Sequence, residues 1–437
     1  MAVMNITPRH SGWVSSTGTR ATLALLAVIV TTLISTGSAQ AQTYSILHSF
    51  MGNSDGGGPF QSPLTRDAVG NLYGTTTYGG SSRCTTDVEN GCGTVFKIDK
   101  TGKHTVLHRF TGGADGRNPY AGLVRDAAGN LFGTTAGGFV DGAPPYGNVF
   151  KLDTTGKLTV LYNFKGGADG AFPTGGVIWD ASGNLYGVTN EGGAFGLGTV
   201  FKLNATGKEI VLYSFRGVPD GENPTYENLV MDATGNLYGS TYGGGTSNQG
   251  TVFKINATTG AEEVLYSFAN GTDGGLPYSG LVLDGKGNLY GNTSQGGGAG
   301  AGTVFKIDPT GKETLLYELA GGRDGIFPMG GLVRDAKGNL WGTTLYGGAN
   351  GFGTVFKVNA RGKETLVHSF AMADGDTPWA GLIKDGAGNL YGSAAAGGAF
   401  NFGTVFKIKV QDQALIFLRG VNDPKSASSS APKRMLP

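Results

Sequence analysis

Carboxylates at repeated spacings are the residues of this sequence with the greatest potential for chemistry. One set stands in D-x-x-G-N segments and comprises Asp67, Asp126, Asp180, Asp232, Asp284, Asp335 and Asp385. A second set stands in D-G-x-x-P segments and comprises Asp55, Asp115, Asp169, Asp220, Asp273, Asp324 and Asp374. Two rings of seven carboxylates raise the possibility of cation binding, and each set also has a simpler structural interpretation.

The structural interpretation is that both sets form turns. In D-x-x-G-N the carboxylate can accept backbone N–H bonds two residues further on, and the Gly can take positive φ, which together make a hairpin. In D-G-x-x-P the Asp and Gly form a turn, and the Pro sets the entry to the next strand. Calcium needs about six to eight oxygen ligands, whereas each D-G-x-x-P loop offers one carboxylate. We therefore predict no metal and no cofactor.

Histidine gives little support to catalysis. Three histidines stand where other copies of the pattern hold tyrosine: His48, His108 and His368, against Tyr162, Tyr213, Tyr266 and Tyr317. His104 lies beside a turn. The sequence has no Ser-His-Asp spacing, no H-E-x-x-H and no phosphate loop. We predict no catalytic residues. The alternatives are a propeller enzyme of the lactonase or lyase kind, with a metal on the axis, and a structural envelope component.

These spacings belong to a tandem repeat. A G-N-L-aromatic-G segment returns with its first Gly at residues 70, 129, 183, 235, 287, 338 and 388, and a period near 50 residues is typical of propellers. The second copy reads as four short strands, Gly122–Asp126, Asn130–Thr135, Gly147–Asp153 and Thr159–Phe164. We predict an all-β protein, a seven-bladed β-propeller of four-stranded antiparallel blades.

A closed ring needs its two ends joined. Tyr44–Phe50 precedes the first copy, and the seventh copy ends with Gly403–Ile408 and no certain fourth strand. Pairing these segments would complete the last blade, although Ala414–Leu418 competes for the same place or adds a fifth strand. Each sheet must bury both faces, so the adjacent residues Val149 and Phe150 are expected to face different neighbouring blades.

The N-terminal residues resemble an export signal. Residues 1–41 contain Arg9 and Arg20, the apolar stretch Ala21–Ile34 and a small-x-small site ending at Ala41. The stretch is shorter than a membrane span, so we expect cleavage near Ala41, with a retained N-terminal anchor as the alternative. The sequence predicts a signal peptide in 1–41, a propeller in 42–418 and a disordered tail in 419–437. We expect a secreted, periplasmic or cell-surface monomer with no membrane span after cleavage.

Charge and cysteine content fit an exported protein with no nucleic-acid partner. Residues 42–437 carry 31 basic and 32 acidic side chains, without a run of Lys or Arg that could bind phosphates. The two cysteines of the chain, Cys84 and Cys92, stand eight residues apart in an insertion that one copy alone contains. In an oxidising compartment we expect them to form a local disulfide bond.

The variable loops are the best place for a binding site. The short turns join strands one to two and three to four, so they share one face of the disc, which we call the turn face. The longer loops share the opposite face, called the loop face, and loops on a rigid scaffold often carry function. Its predicted binding residues, for an unidentified glycan or protein, are Tyr78, Tyr146, Phe195, Tyr242, Tyr346, Phe352 and Phe402, with Phe139 and Phe400 beside them. The alternative is that these rings fold back over the blades.

The joint motif G-N-L-Y-G-T-T, G-T-V-F-K and L-Y-S-F resembles the Gloeo/Verruco (GloVer) tandem-repeat proteins of bacteria, over all seven copies from Tyr44 to Ile408. The blade is more loosely similar to the NHL type of propeller. The resemblance implies an exported repeat protein, in many members anchored at the surface through C-terminal signals. No such signal is recognisable here, and the family supplies no catalytic residues to carry over.

Overall fold

The computed structural model describes residues 42–80, 84, 91–137, 146–224 and 228–410. The predicted signal peptide, the predicted tail, Ala414–Leu418 and Phe139 lie outside the described residues. The described residues contain one short 3-10 turn, Gly322–Asp324, and no α-helix. Among them, no helix is long and apolar enough to cross a membrane.

Seven antiparallel sheets form a seven-bladed β-propeller, which confirms the predicted fold class. The first strands are β2 (Thr65–Arg66), β6 (Val124–Arg125), β10 (Ile178–Trp179), β15 (Val230–Met231), β19 (Val282–Leu283), β23 (Val333–Arg334) and β27 (Ile383–Lys384). The second strands are β3 (Leu72–Thr76), β7 (Leu131–Thr135), β11 (Leu185–Thr189), β16 (Asn236–Gly244), β20 (Leu289–Thr293), β24 (Leu340–Thr344) and β28 (Leu390–Ala394).

The two outer positions of each blade are equally regular. The third strands are β4 (Thr94–Ile98), β8 (Asn148–Leu152), β12 (Thr199–Leu203), β17 (Thr251–Asn256), β21 (Thr303–Ile307), β25 (Thr354–Val358) and β29 (Thr404–Lys409). The fourth strands are β5 (His104–Arg109), β9 (Leu158–Asn163), β13 (Glu209–Ser214), β18 (Glu262–Ser267), β22 (Glu313–Glu318), β26 (Glu364–Ser369) and β1 (Thr43–Ser49). Blade 4 differs from the four-stranded prediction because β14 (Gly221–Pro224) also pairs with its long second strand.

The first strand of the described residues closes the ring. β1 pairs antiparallel with β29, in a register that sets Thr43 opposite Lys409 and Ser49 opposite Thr404. The last blade is thus assembled from both ends of the described chain, as the sequence predicts. In the other blades a short turn joins the third strand to the fourth on the turn face. The start of β1 and the end of β29 therefore lie on that face, opposite the loops.

The core consists of apolar layers between neighbouring blades. Val149 packs with Val177 and Phe201 of blade 3, whereas Phe150 packs with Val95 and Phe110 of blade 1. Adjacent residues of one strand therefore face two different blades, as expected. Burial of both faces of every sheet explains why a blade too thin to be stable alone becomes stable in the ring.

Candidate binding surface

The crossing loops, which carry the D-G-x-x-P segments from blade to blade, use their carboxylates for internal contacts. Asp169 accepts hydrogen bonds from Tyr162 Oη at 2.8 Å and from the backbone N–H of Lys165 at 3.0 Å. His108 Nε2 lies 3.1 Å from Asp115 in the copy before. The corresponding pairs at the other crossings are His48 with Asp55, Tyr213 with Asp220, Tyr266 with Asp273, Tyr317 with Asp324 and His368 with Asp374.

Sequence reasoning missed this contact, because it assigned the three histidines to packing alone. They do pack, as the ring centroid of His108 lies 4.9 Å from that of Phe110. The signal was nevertheless present in the spacing, since Tyr162 precedes Asp169 by seven residues and six of the seven copies keep that interval. A side chain with an aromatic ring and a polar atom at its end can both pack against the Phe and contact the carboxylate. The seven copies have Tyr or His at this position.

The turn-face carboxylates are held within their own hairpins. Asp67 Oδ1 accepts hydrogen bonds from the backbone N–H groups of Val69 and Asn71, while Oδ2 accepts them from Asn71 Nδ2 and Tyr73 Oη. Burial alone would raise the pKa of the Asp67 carboxyl, but the hydrogen bonds from Asn71 and Tyr73 outweigh burial and lower it. The Gly of the segment takes positive φ, +99° at Gly70, where the turn requires it.

A second carboxyl group lies close to four of the crossing-loop carboxylates. Burial, and then the charge of Asp169, raises the pKa of Glu209 to about 7, and the equivalent surroundings raise the pKa of Glu262 and of Glu364 to about 7. Among the described residues, the Oε1 atoms of these three and of Glu313 are buried without a hydrogen-bond partner. The sequence analysis assigned one carboxylate to each crossing loop and therefore did not predict these pairs. A signal was present, because Glu is the first residue of the fourth strand in four consecutive copies.

The pairs of Glu209, Glu262 and Glu364 have one carboxyl group with a pKa near neutral pH, and each pair supplies two carboxyl groups as possible metal ligands. Within the described ranges, no three His, Cys, Asp or Glu side chains are grouped so that they could hold a metal ion.

Three of the predicted binding aromatics pack against the blades on one side. The Tyr146 ring lies over Gly166 and the Phe402 ring over Gly52, so close that a Cβ on either glycine would come within 2.4 and 2.5 Å of the ring. Phe352 is partly buried against the layer between blades 6 and 7. Tyr146 and Phe402 keep an exposed side as well, so packing and binding are compatible at these positions.

The other predicted aromatics are spread around the loop face. Phe195 is 56% exposed, with the Arg216 guanidinium 5.8 Å from its ring centroid. Tyr346 is exposed and meets Phe327 edge to face at 6.4 Å. Tyr78 and Tyr242 lie nearer the centre of the disc, where they join rings that sequence reasoning did not select.

An aromatic cluster converges on the centre of the loop face. Its ring centroids are 5.5 Å apart for Phe60 and Tyr78, 5.8 Å for Phe60 and Trp379, 6.2 Å for Tyr278 and Trp379, and 5.6 Å for Tyr242 and Tyr278. We call these five residues the axial aromatic cluster. Blades 5 and 7 are not neighbours, so the contact between Tyr278 and Trp379 must lie close to the axis. Three of the five, Phe60, Tyr278 and Trp379, directly follow a crossing-loop Pro, a position at which the sequence could have revealed them.

A cavity of about 380 Å³ opens beside this cluster, at the seam between blades 7 and 1. Its aromatic walls are Phe60, Tyr78, Phe400 and Phe402, and Asn401 contributes a polar group. Gly and Ala residues form much of the remaining lining. Small-molecule sites typically occupy about 300–1,000 Å³ and combine apolar walls with few polar groups. Two of the predicted residues, Tyr78 and Phe402, are thus brought together in one cavity.

The disulfide bond between Cys84 and Cys92 is present, with 5.6 Å between the two Cα atoms. Both sulfur atoms lie over Gly112 of the next crossing loop, where a Cβ would approach them within 2.7 Å. They therefore fill, in blade 1, the place that Tyr146 and Phe402 fill in blades 2 and 7.

The family model described as the Gloeobacter/Verrucomicrobia repeat matches residues 82–298 and 269–433. Among solved structures, the chain is similar to the extracellular domain of a putative one-component system from B. thetaiotaomicron, with 11% identity over 80% of this chain and 38% of that chain and a TM-score of 0.48. A putative 6-phosphogluconolactonase from Bacteroides uniformis has 16% identity over 70% and 84%, TM-score 0.45. A gluconolactonase from Xanthomonas campestris has 14% identity over 65% and 83%, TM-score 0.39. No curated protein matches the sequence.

Proposed function

This chain belongs to the Gloeobacter/Verrucomicrobia repeat family, and we propose that it is an exported, non-catalytic scaffold that binds carbohydrate on its loop face. The observation that carries the proposal is the aromatic-walled cavity between blades 7 and 1, continuous through Phe60 with the axial aromatic cluster. Flat aromatic faces present apolar area in a fixed orientation, which suits the C–H faces of sugar rings.

Polar groups near these rings would orient a sugar. Asn401 lines the cavity, and Trp379 Nε1 is buried without a hydrogen-bond partner in the described part of the chain. A sugar hydroxyl can accept a hydrogen bond from an indole N–H and donate one to an amide oxygen. The combination of stacking surface and a few directed polar groups is what a small polar ligand requires.

Two further features support export and binding rather than a cytoplasmic role. A disulfide bond between Cys84 and Cys92 fits an oxidising compartment. The start of β1 and the end of β29 lie on the turn face, so the loop face stays free of both ends of the described chain. A ligand on the loop face would therefore not compete with an attachment through either end.

A glycan-binding screen followed by calorimetry tests the proposal. We expect a sugar ligand whose affinity falls at least tenfold in Tyr78→Ala and in Trp379→Phe, the second of which keeps an aromatic ring but removes the indole N–H donor and part of the stacking area. Phe195→Ala is the matched control, because Phe195 is an exposed loop-face aromatic outside the cavity. A blank screen, or an affinity unchanged both in the cavity variant Tyr78→Ala and in the cluster variant Trp379→Phe, would contradict carbohydrate binding. Stoichiometric calcium or zinc with lactone hydrolysis would favour the enzyme alternative instead.

A further inference from the structure

A second groove, of about 450 Å³, lies on the turn face at the seam between blades 2 and 3. Asp126, Phe132 and Lys151 of blade 2 line it opposite Trp179 and Asp180 of blade 3. Trp179 is 37% exposed and meets Phe132 edge to face, with 5.6 Å between the ring centroids. The repeat pattern does not require an exposed Trp at this position. The residues at the equivalent position of the other seams show how this seam differs.

At four other seams this position holds a cation of the protein itself. The last residue of a first strand is Arg or Lys there, and it lies over the second-strand ring of the preceding blade. The pairs are Arg125 over Tyr73 at 5.8 Å, Arg334 over Tyr290 at 5.0 Å, Lys384 over Trp341 at 4.8 Å and Arg66 over Tyr391 at 5.8 Å. Lys384 Nζ also lies 3.2 Å from Asp335 Oδ2, so the cation is held by a ring and a carboxylate together.

The ring itself normally supplies a donor to the same carboxylate. In six blades Oδ2 of the turn-face Asp accepts a hydrogen bond from the second-strand ring, from Tyr73, Tyr186, Tyr238, Tyr290, Trp341 or Tyr391. Blade 2 has Phe132 instead, which has no donor. In the described part of the chain, Asp126 Oδ2 accepts a hydrogen bond from Asn130 Nδ2 alone, at 2.6 Å.

The seam between blades 2 and 3 therefore lacks two groups that other seams provide, the phenol of the second-strand ring and the cation from the next blade. It keeps Lys151 of blade 2, whose Nζ lies 5.7 Å from the Phe132 ring centroid. Seams 3/4 and 4/5 lack only the cation, because Tyr186 and Tyr238 still donate to Asp180 and Asp232. The groove retains a carboxylate with spare acceptor capacity and two aromatic rings. Its charged side chains, Asp126, Asp180 and Lys151, leave it one negative charge in excess.

We propose that this groove binds an organic cation, a primary ammonium or guanidinium group, which supplies to the Asp126 carboxylate the positive charge that an Arg or Lys side chain supplies at four other seams. The cation contacts the Asp126 carboxylate and the rings of Phe132 and Trp179, as Lys384 contacts Asp335 and Trp341. This site is on the opposite face from the carbohydrate site and does not depend on it.

Calorimetry on the purified protein tests the site with pairs of probes that differ in charge. N-acetylarginine amide is compared with its neutral analogue N-acetylcitrulline amide, for a peptide source of the cation. Glucosamine is compared with N-acetylglucosamine, for an amino-sugar source. We expect at least one cation to bind ten or more times as tightly as its neutral partner, and tenfold weaker binding of that cation in Asp126→Asn. Equal binding within both pairs, or none by either cation, would overturn the proposal.

A variant that restores the repeat gives the sharpest control. Phe132→Tyr combined with Trp179→Arg reproduces the Tyr73 and Arg125 seam between blades 1 and 2, so we expect it to fold and to lose cation binding at least tenfold. Tyr73→Phe, which leaves Arg125 in place at that other seam, is expected to bind as the unchanged protein does. Undiminished binding by the restored variant, with its circular dichroism spectrum intact, would show that the cation binds elsewhere.

Discussion

Tyrosine and histidine alternate at one position of the fourth strand because both carry a donor that reaches the crossing-loop carboxylate. Tyr162→Phe keeps the ring and removes the donor to Asp169. We expect it to lower the free energy of unfolding by about 1–2 kcal/mol, since a part-buried carboxylate loses a hydrogen bond. Tyr162→His, which imitates His108, should recover part of that loss. Urea unfolding measures both variants, and a Phe variant as stable as the unchanged protein would show that packing alone matters.

Glu209 gives a pH dependence whose sign follows from its surroundings. Its folded-state pKa of about 7 lies above the ordinary Glu value, so ionisation of this group favours the unfolded chain. The protein should lose stability from this group as pH rises from about 4.5 to about 7. Glu209→Gln should match the unchanged protein at low pH and exceed it at pH 8, by about 1 kcal/mol once solvent screening of a half-buried group is allowed for.

Thermal unfolding across that pH range checks the Glu209 prediction. Glu191→Gln, at an exposed position, serves as the control for the loss of a Glu side chain. A constant difference between Glu209→Gln and the unchanged protein from acid to neutral pH would contradict the assigned carboxyl pair.

At the scale of single elements, the crossing loop has a strained residue that the D-G-x-x-P pattern does not reveal. The residue before the Pro takes positive φ at every crossing, including Thr377 at +52° and Asn118 at +53°. A β-branched side chain is unfavourable there, whereas Asn tolerates the conformation. We expect Thr377→Asn to raise the free energy of unfolding by about 1 kcal/mol and the reverse change Asn118→Thr to lower it. A Thr377→Asn variant no more stable in urea than the unchanged protein, or an Asn118→Thr variant no less stable, would show that φ is not the deciding factor.

The strands and turns were predictable because their signals are local. β-Branched and aromatic residues bounded by turn residues predict the second strand of blade 2 as Asn130–Thr135, and the strand observed is Leu131–Thr135. The sequence did not predict contacts between residues that belong to different copies of the repeat. The approach of Glu209 to Asp169, and of Tyr278 to Trp379, joins residues from different blades, so no window of one repeat contains it. The extra strand Gly221–Pro224 likewise depends on a partner beyond its own segment.

The same limit applies to the candidate sites. The order of the strands places Tyr78 and Phe402 on the loop face, as predicted. The rings of Phe60, Tyr278 and Trp379 were missed because the crossing-loop Pro before each of them was interpreted only as the entry to a strand. The groove at Trp179 was missed because Trp179 and Phe132 are unusual only in comparison with the residues at the equivalent positions of the other six seams. The axial aromatic cluster and the groove at Trp179 are both defined by differences between equivalent positions of the seven copies, and neither contains a known sequence motif.

At the scale of the whole molecule, stability depends on closing the ring. Every blade buries one face against each neighbour, so an open ring would expose an apolar layer, such as the one that Val405 of blade 7 forms with Leu64 and Phe96 of blade 1. The chain solves this by pairing β1 with β29, the first and last strands of the described residues, which also places the beginning of β1 and the end of β29 together on the turn face. Both proposed sites presuppose that arrangement.

An engineered disulfide bond between β1 and β29 tests the closure of the ring most directly. Ser45 lies opposite Lys407 in the register of β1 and β29, at a sequence separation of 362. In Ser45→Cys/Lys407→Cys we expect an intramolecular bond in the monomer that raises stability by roughly 3–5 kcal/mol over its reduced form, because it closes a very long loop. The unaltered protein under the same reductant controls for Cys84 and Cys92. Thiols that stay free, or bonds that form only between chains, would contradict a ring closed by its own first strand.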